Sequence, residues 1–313
     1  MVAGMLNEKL ALVTVTSESF MPGTMVMLHS FLKHNSWFAE ANGDIVIIHE
    51  SLPPQLQRLT GCFKNITWFQ VGEELKVKVD ALYRGIPRLK LGKKKNRFYS
   101  LELFRLSGYR KVLFCDSDIL FLGSIIELFN SPGETGRLLG GGDLYYFTGK
   151  AIEADTFMPL EDETDPGVNR EMIKNTFNVG FLIIDEQILS QRHYYNMMNL
   201  LNIDLWRKIK APRTDQVIFN LYFKECCRLL SARYNYLVSH ADVIPLKENI
   251  PINEIKVLHF NGKAKPWECL NVIQSVSTDP LLIRFIKLWQ REFLDFLPQY
   301  HLRSCFINRK VKE

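Results

Sequence analysis

Short apolar runs alternating with helix-patterned segments constrain this chain more than anything else in it. Leu10–Val15, Asp44–His49, 66–71 and the run opening at Lys111 each read as a strand. Between the first two, Met25, Val26, Leu28, Phe31 and Leu32 recur at helical spacing over 21–34. A helix begins near Pro53 and covers 52–59, and another covers 98–107. Further on, 177–184 reads as a strand and 186–201 as a helix. Such alternation predicts an α/β fold with a mainly parallel central sheet. The 313 residues are enough to bury a large core, and no internal repeat divides them. The expected organisation is one domain over 1–275 and a helical, basic and aromatic extension over 276–313.

The formal net charge of +5 is too mild to imply nucleic acid. Six cysteines show neither a CxxC pair nor zinc spacing, which points to a reducing compartment. Leu10–Val15 is too short for a leader or a membrane span. The expectation is a cytoplasmic chain. The C-terminal stretch carries Phe285, Trp289, Phe293, Phe296 and Tyr300, then Arg303, Arg309, Lys310 and Lys312. It reads either as a helix packed on the domain or as a peripheral contact with an anionic membrane.

The stretch KVLFCDSDILF, 111–121, is apolar on both sides of Asp116 and Asp118. In open α/β sheets ligands bind at the carboxyl ends of strands. In a period-2 strand both carboxylates point to one face. Close carboxylates repel unless a cation neutralises them, and hard oxygen ligands suit Mn²⁺ or Mg²⁺ bridging to phosphates. Solvated aspartate pairs in turns are also common. Near the other end, VLHFNGKAKPW, 257–267, places His259 at a strand end, followed by Gly262 and Lys265. Histidine is a suitable third ligand, Gly262 lets backbone approach a phosphate, and Lys265 can oppose the charge of a leaving diphosphate.

Two other segments stand out. Residues 72–97 hold nine basic residues, either a solvated loop or an electropositive lid over an anion. Residues 150–176 form an acidic insertion of the kind that serves as a lid or a mobile segment.

HFNGKAKPW resembles the H-F-x-G-x-x-K-P-W motif of glycogenin, and CDSD resembles the D-x-D of the same family. This is glycosyltransferase family 8: retaining enzymes that include glycogenin and bacterial lipooligosaccharide galactosyltransferases. RFYSLELF, GGGD, FNVGFLIID and TDQVIFN are similar to further family segments in the same order, so the likeness covers roughly 10–270.

The resemblance implies a nucleotide-sugar-binding, Rossmann-like domain of the GT-A type. It implies Mn²⁺ on Asp116, Asp118 and His259. It puts Thr14, Val15, Thr16 and Phe20 around uridine, with Asp116 also near the ribose and Ser117 among the residues that bind the donor. Arg97 or Lys95 would reach the donor, and Gly262 and Lys265 would hold the diphosphate. Asp143, Asn178 and Gly180 would flank the sugar, with Asp215 and Gln216 at the reaction centre. The implied reaction moves a hexose, glucose or galactose, from a UDP-sugar to a glycan or lipid-linked glycan, with retention. No tyrosine occurs in 237–258, so a separate acceptor is expected rather than self-glucosylation. The other reading is a silent nucleotide-sugar-binding or scaffold protein of the same fold.

Overall fold

Alternate residues of each strand go to opposite apolar layers, and this sorting sets the architecture. The computed structural model describes residues 9–86, 95–130, 137–149, 176–208, 215–276 and 280–310. Its strands are β1 Leu10–Val15, β2 Asp44–His49, β3 Ile66–Gln70, β4 Lys111–Cys115 and β5 Ile119–Phe121. They continue with β6 Leu138–Gly142, β7 Phe177–Asp185, β8 Cys227–Leu230, β9 Tyr236–Leu237 and β10 Val257–His259. Among the described residues they form a seven-stranded sheet, β3-β2-β1-β4-β7-β6-β8, and a three-stranded sheet, β5-β10-β9. The large sheet is parallel except for β7, which runs antiparallel to both β4 and β6.

In the large sheet, Ala11, Val13, Val46, Ile48, Val112 and Phe114 face one core. Leu10, Leu12, Ile45, Ile47, Leu113 and Cys115 face the other. That second core also receives Met27, Leu28 and Phe31 of the Met21–His34 helix, and Ile119, Phe121 and Val257 of the small sheet. The opposite face of the small sheet presents Leu120, Tyr236 and Leu258 to a third core. There they meet Leu282, Phe285, Ile286 and Trp289 of the Pro280–Lys310 helix. The small sheet is thus buried on both sides. A fully buried side chain of this size stabilises by about 1.5–3 kcal/mol, so both faces contribute to holding the site that lies at its edge.

The helix Pro280–Lys310 shows what became of the C-terminal aromatics. Phe285, Trp289 and Phe296 are buried, and Phe293 stacks on Trp289 with centroids 5.5 Å apart. Glu292 is held by Lys33 Nζ at 2.8 Å and by His29 Nδ1 at 2.8 Å. Apolar burial claims these rings, so this part of the helix packs on the domain. Among the described residues no helix is long and apolar enough to cross a membrane.

Other expectations also shift. Glu73–Gly85 is a helix with Leu75, Val79 and Leu82 buried, so the first half of the basic segment is neither loop nor lid. The helix expected over 98–107 is a 3-10 run, Lys95–Arg105, which starts earlier. The helix expected over 186–201 is shorter, Gln191–Asn199, and starts behind a Ser190 cap whose hydroxyl accepts the His193 N–H. The glycines at 140–142 form the end of β6, with a register shift between Gly140 and Gly141. Asp215 is the first residue of the Asp215–Phe223 helix. The acidic insertion at 150–176 lies almost wholly outside the described residues, as do 87–94 of the basic segment. Cys62, Cys115, Cys226, Cys227 and Cys269 carry no disulfide.

Candidate functional site

The two aspartates sit in the link between the sheets. β4 ends at Cys115, a turn carries Ser117 and Asp118, and β5 begins at Ile119. The carboxylates therefore do not alternate along one strand. A change of sheet brings them together. The Asp116 N–H bonds Gly180 O of β7 at 2.8 Å, anchoring the turn to the large sheet. The Phe260 N–H bonds Asp118 O at 2.9 Å, and His259 pairs with Ile119, anchoring it to the small one.

This junction converges three ligating groups. One donor atom from each of Asp116, Asp118 and His259 falls within 4.8 Å of the others. His259 Nε2 lies 3.2 Å from Asp118 Oδ1 and 3.6 Å from Asp116 Oδ2. Gly180 makes room, because a Cβ there would lie 2.2 Å from His259 Cε1. Burial opposes the charge of Asp118, but Lys265 and His259 outweigh it and hold the carboxyl far below its ordinary range. Burial likewise opposes protonation of His259, yet Asp118 and Asp116 raise its pKa. Lys265, itself buried, donates to Asp118 Oδ2.

In front of the junction opens a cleft of about 930 Å³. Val15, Thr16 and Phe20 form one wall, with Ser17, Glu18 and Ser19 between them. Asp116, Ser117 and Asp118 form the floor, and Asn261, Gly262, Lys263, Lys265 and Glu268 the far side. Lys95, Asn96 and Arg97 close the mouth. Phe20 is braced edge-on by Trp267 at 5.6 Å, whose indole donates to Ser19 O at 3.0 Å. Close packing beneath this wall requires Gly23, whose Cβ would fall 2.4 Å from Trp267 and 2.5 Å from Ser117 O.

Thr14 does not face the cleft. It is fully buried, 3.4 Å from Ser117 Oγ, and so supports the floor. The Ser117 hydroxyl donates to Val15 O at 2.8 Å and meets Thr24 Oγ1 at 2.9 Å. Lys95 lines the mouth but is paired with Glu50 at 2.9 Å and Asp80 at 2.8 Å. Burial lowers its pKa, and the hydrogen bonds it donates to Asp80 and Glu50 more than reverse that.

Asp143, Asn178 and Gln216 come together through hydrogen bonds, outside the set of residues that line the cleft. Gln216 Nε2 donates to Asp143 Oδ2 at 3.0 Å, and Asn178 Nδ2 to Gln216 Oε1 at 3.3 Å. Asp143 Oδ1 also caps the Leu144–Thr148 helix through Tyr146 N and accepts from Thr176 Oγ1 at 2.6 Å. Asp215 Oδ2 accepts the Ser100 hydroxyl at 3.0 Å. Tyr145 and Phe147 are core residues, while Lys247 Nζ lies 4.0 Å from the centroid of the partly exposed Tyr146 ring.

Residues 11–270 match the family Glycosyl transferase family 8. The chain belongs to glycosyl transferase family 8. Glycosyltransferase GlyF of Streptococcus pneumoniae is 24% identical over 179 residues, 56% of this chain and 38% of GlyF. Galactinol synthase 3 of Arabidopsis thaliana is 23% identical over 203 residues, 61% of this chain and 56% of that one. The chain thus matches little more than half, or less, of these relatives' lengths. In fold it is similar to the galactosyltransferase LgtC, solved with donor and acceptor sugar analogues. The TM-score is 0.63 at 16% identity, covering 90% of this chain and 95% of that one. This likeness establishes the α/β GT-A fold, mostly parallel, with a C-terminal helix.

Several residues of this family 8 site escaped the sequence. Asn235 bonds both His259 and Asn178. Ser100, Glu50 and Asp80 take up Asp215 and Lys95. Thr24 meets Ser117 in the floor. Asn235 leaves a trace in the sequence, as a polar residue inside the otherwise apolar run YNYLV, 234–238.

Proposed function

We propose that this chain transfers a hexose from a UDP-sugar, glucose or galactose, to a glycan or lipid-linked glycan, with retention and dependence on Mn²⁺ or Mg²⁺. The observation that carries this reading is the convergence of Asp116, Asp118 and His259 on the floor of a cleft flanked by Lys265. The residues fit such a cation. Asp118 Oδ1 is a buried oxygen with no hydrogen-bond partner, and two carboxylates with one imidazole are a donor set suited to Mn²⁺. Bound there, the cation would polarise a diphosphate and stabilise it as a leaving group.

The chain's own groups supply the rest. Lys265 opposes the charge that develops on the departing diphosphate, exchanging Asp118 for phosphate oxygens. Gly262 brings backbone beside it. Arg97 is the better donor contact at the mouth, since Lys95 is committed to Glu50 and Asp80. Phe20 offers an apolar face to uracil, with Val15 and Thr16 supplying polar groups beside it. Asp143, Asn178 and Gly180 orient the sugar. The amide of Gln216 is engaged at both ends by Asn178 and Asp143, which makes it a positioning group rather than a nucleophile. Asp215 remains the carboxylate of the reaction centre, and the transition state is oxocarbenium-like. We assign 1–275 to this catalytic unit and place the protein in the cytoplasm, with the basic end of the chain at an inner membrane face.

UDP release from a panel of UDP-sugars, with Mn²⁺ and with EDTA, tests the reading. Slow hydrolysis of one donor is expected, abolished by EDTA and reduced roughly 10²–10³-fold in Asp118→Asn. Calorimetric binding of UDP and Mn²⁺ without turnover of any donor, even with an acceptor library, would favour the silent binding protein.

A further inference from the structure

A run of side-chain amides outside the cleft lining has only one self-consistent orientation, and it ends on His259. The Gly180 N–H donates to Asn178 at 3.0 Å. A backbone N–H can only donate, so the Asn178 atom it meets is the carbonyl oxygen. Asn235 approaches that same oxygen at 3.1 Å and must therefore present its NH₂. Its own carbonyl then faces His259 Nδ1 at 3.0 Å. A carbonyl only accepts, so Nδ1 carries the hydrogen. Nε2 is left facing the Asp116 and Asp118 carboxylates, where its lone pair would meet a bound cation.

The same logic runs the other way. Asn178 Nδ2 donates to Gln216 Oε1, and Gln216 Nε2 donates to Asp143 Oδ2. One backbone N–H thus orients every amide between the sugar-side carboxylate and the ligating imidazole.

Packing locks this arrangement. Asn235 is fully buried between a 3-10 turn and β9. It sits against Gly141, where a Cβ would fall 2.7 Å from its own Cβ. The register shift in β6 between Gly140 and Gly141 brings that bare backbone under it.

We propose that Asn235 is the positioning residue of the metal centre. It fixes His259 in the Nδ1–H tautomer so that Nε2 is presented to the cation, and it ties that imidazole through Asn178 and Gln216 to Asp143. The proposal rests on the cation site proposed above. An outer partner of this kind raises ligand basicity and holds the ring in plane, and losing one typically lowers metal affinity about 10- to 100-fold.

Two measurements test it. The first is the long-range ¹H–¹⁵N spectrum of the metal-free wild type at alkaline pH, with the ring neutral and the signal assigned by its loss in His259→Gln. A predominant Nδ1–H form is expected, and a predominant Nε2–H form overturns the proposal without any Asn235 variant. The second is Mn²⁺ affinity, from the free-ion electron paramagnetic resonance signal, for wild type, Asn235→Leu and Asn235→Asp. The leucine variant should bind about 10- to 100-fold more weakly, whereas the aspartate, which keeps an acceptor for Nδ1–H, should stay within several-fold of wild type. Equal affinity in all three overturns the proposal. If Asn235→Leu does not fold, the wild-type spectrum still decides. Absence of Mn²⁺ binding by the wild type would instead sink the cation site itself, while the spectrum would still report the tautomer.

Discussion

The two sheets are built by different rules. The large one is assembled from neighbours: β1, β2 and β3 are consecutive strands joined through helices and pair in parallel. Each strand carries its own apolar alternation. The small one is assembled from strangers. β5 follows directly on the aspartate turn, yet its partner β10 lies near the other end of the chain. The short strands of the small sheet are stabilised mainly by burial on both faces. The large sheet supplies rigidity and the strand ends, and the small sheet supplies His259 and fixes it beside Asp118. A ligating constellation placed where two anchored sheets meet is held from both sides of the turn that carries it.

The sharpest way to break this contrast is to strike the small sheet from its outer side. Trp289→Ala empties the third core beneath Leu120 and Leu258 and should cost about 3–5 kcal/mol, read by urea unfolding. If the small sheet leans on the C-terminal helix as described, Mn²⁺ binding should be lost at lower urea than the circular dichroism of the large sheet. Superimposable wild-type and variant transitions would show that the helix is dispensable.

Gly180→Ala strikes the junction instead. The new methyl would meet His259 Cε1 and Asp116 Oδ2, with the Cβ 2.2 and 2.7 Å from them. Overpacking of this kind costs about 1–3 kcal/mol, and Mn²⁺ affinity should fall far more than the melting temperature. A variant that binds the ion normally would mean that the ring has freedom the packing does not suggest.

The smallest expected effect concerns the clasp between the C-terminal helix and the Met21–His34 helix. Burial pushes the Glu292 pKa up, but hydrogen bonds from His29 and Lys33 outweigh it and hold it below the ordinary 4.5. Its contribution is therefore present above that ordinary value and is lost as pH falls through the lower folded value. Glu292→Gln should cost about 1 kcal/mol near neutral pH, and the gap between variant and wild type should close on acidification below about pH 4.5. A gap that does not change with pH would assign the loss to packing rather than charge.

Much of this was legible in advance. Strands β1 to β4 and β7 announce themselves because alternate residues feed two buried layers, leaving continuous apolar runs. The aspartates and His259 stood out because charge at the end of such a run needs a reason. Less was legible where a residue's role depends on what lies across the fold. Lys95 looked like a free cation for an anionic donor until Glu50 and Asp80 closed on it. Thr14 looked like a cleft residue, but the strand turns it beneath Ser117. The aromatic C-terminus fitted a headgroup layer equally well until the third core took up its rings.

The sequence by itself determined the α/β class, the main sheet's strands and the set of ligating residue types. Those depend on periodicity and on the intrinsic chemistry of side chains, which are local. Only the tertiary structure decided that Asp116 and Asp118 meet through a change of sheet, that the C-terminal helix covers the small sheet, and that Asn235 orients His259. Each of these is set by contacts between segments far apart in the chain, where shape and hydrogen-bond direction, not composition, select the partner.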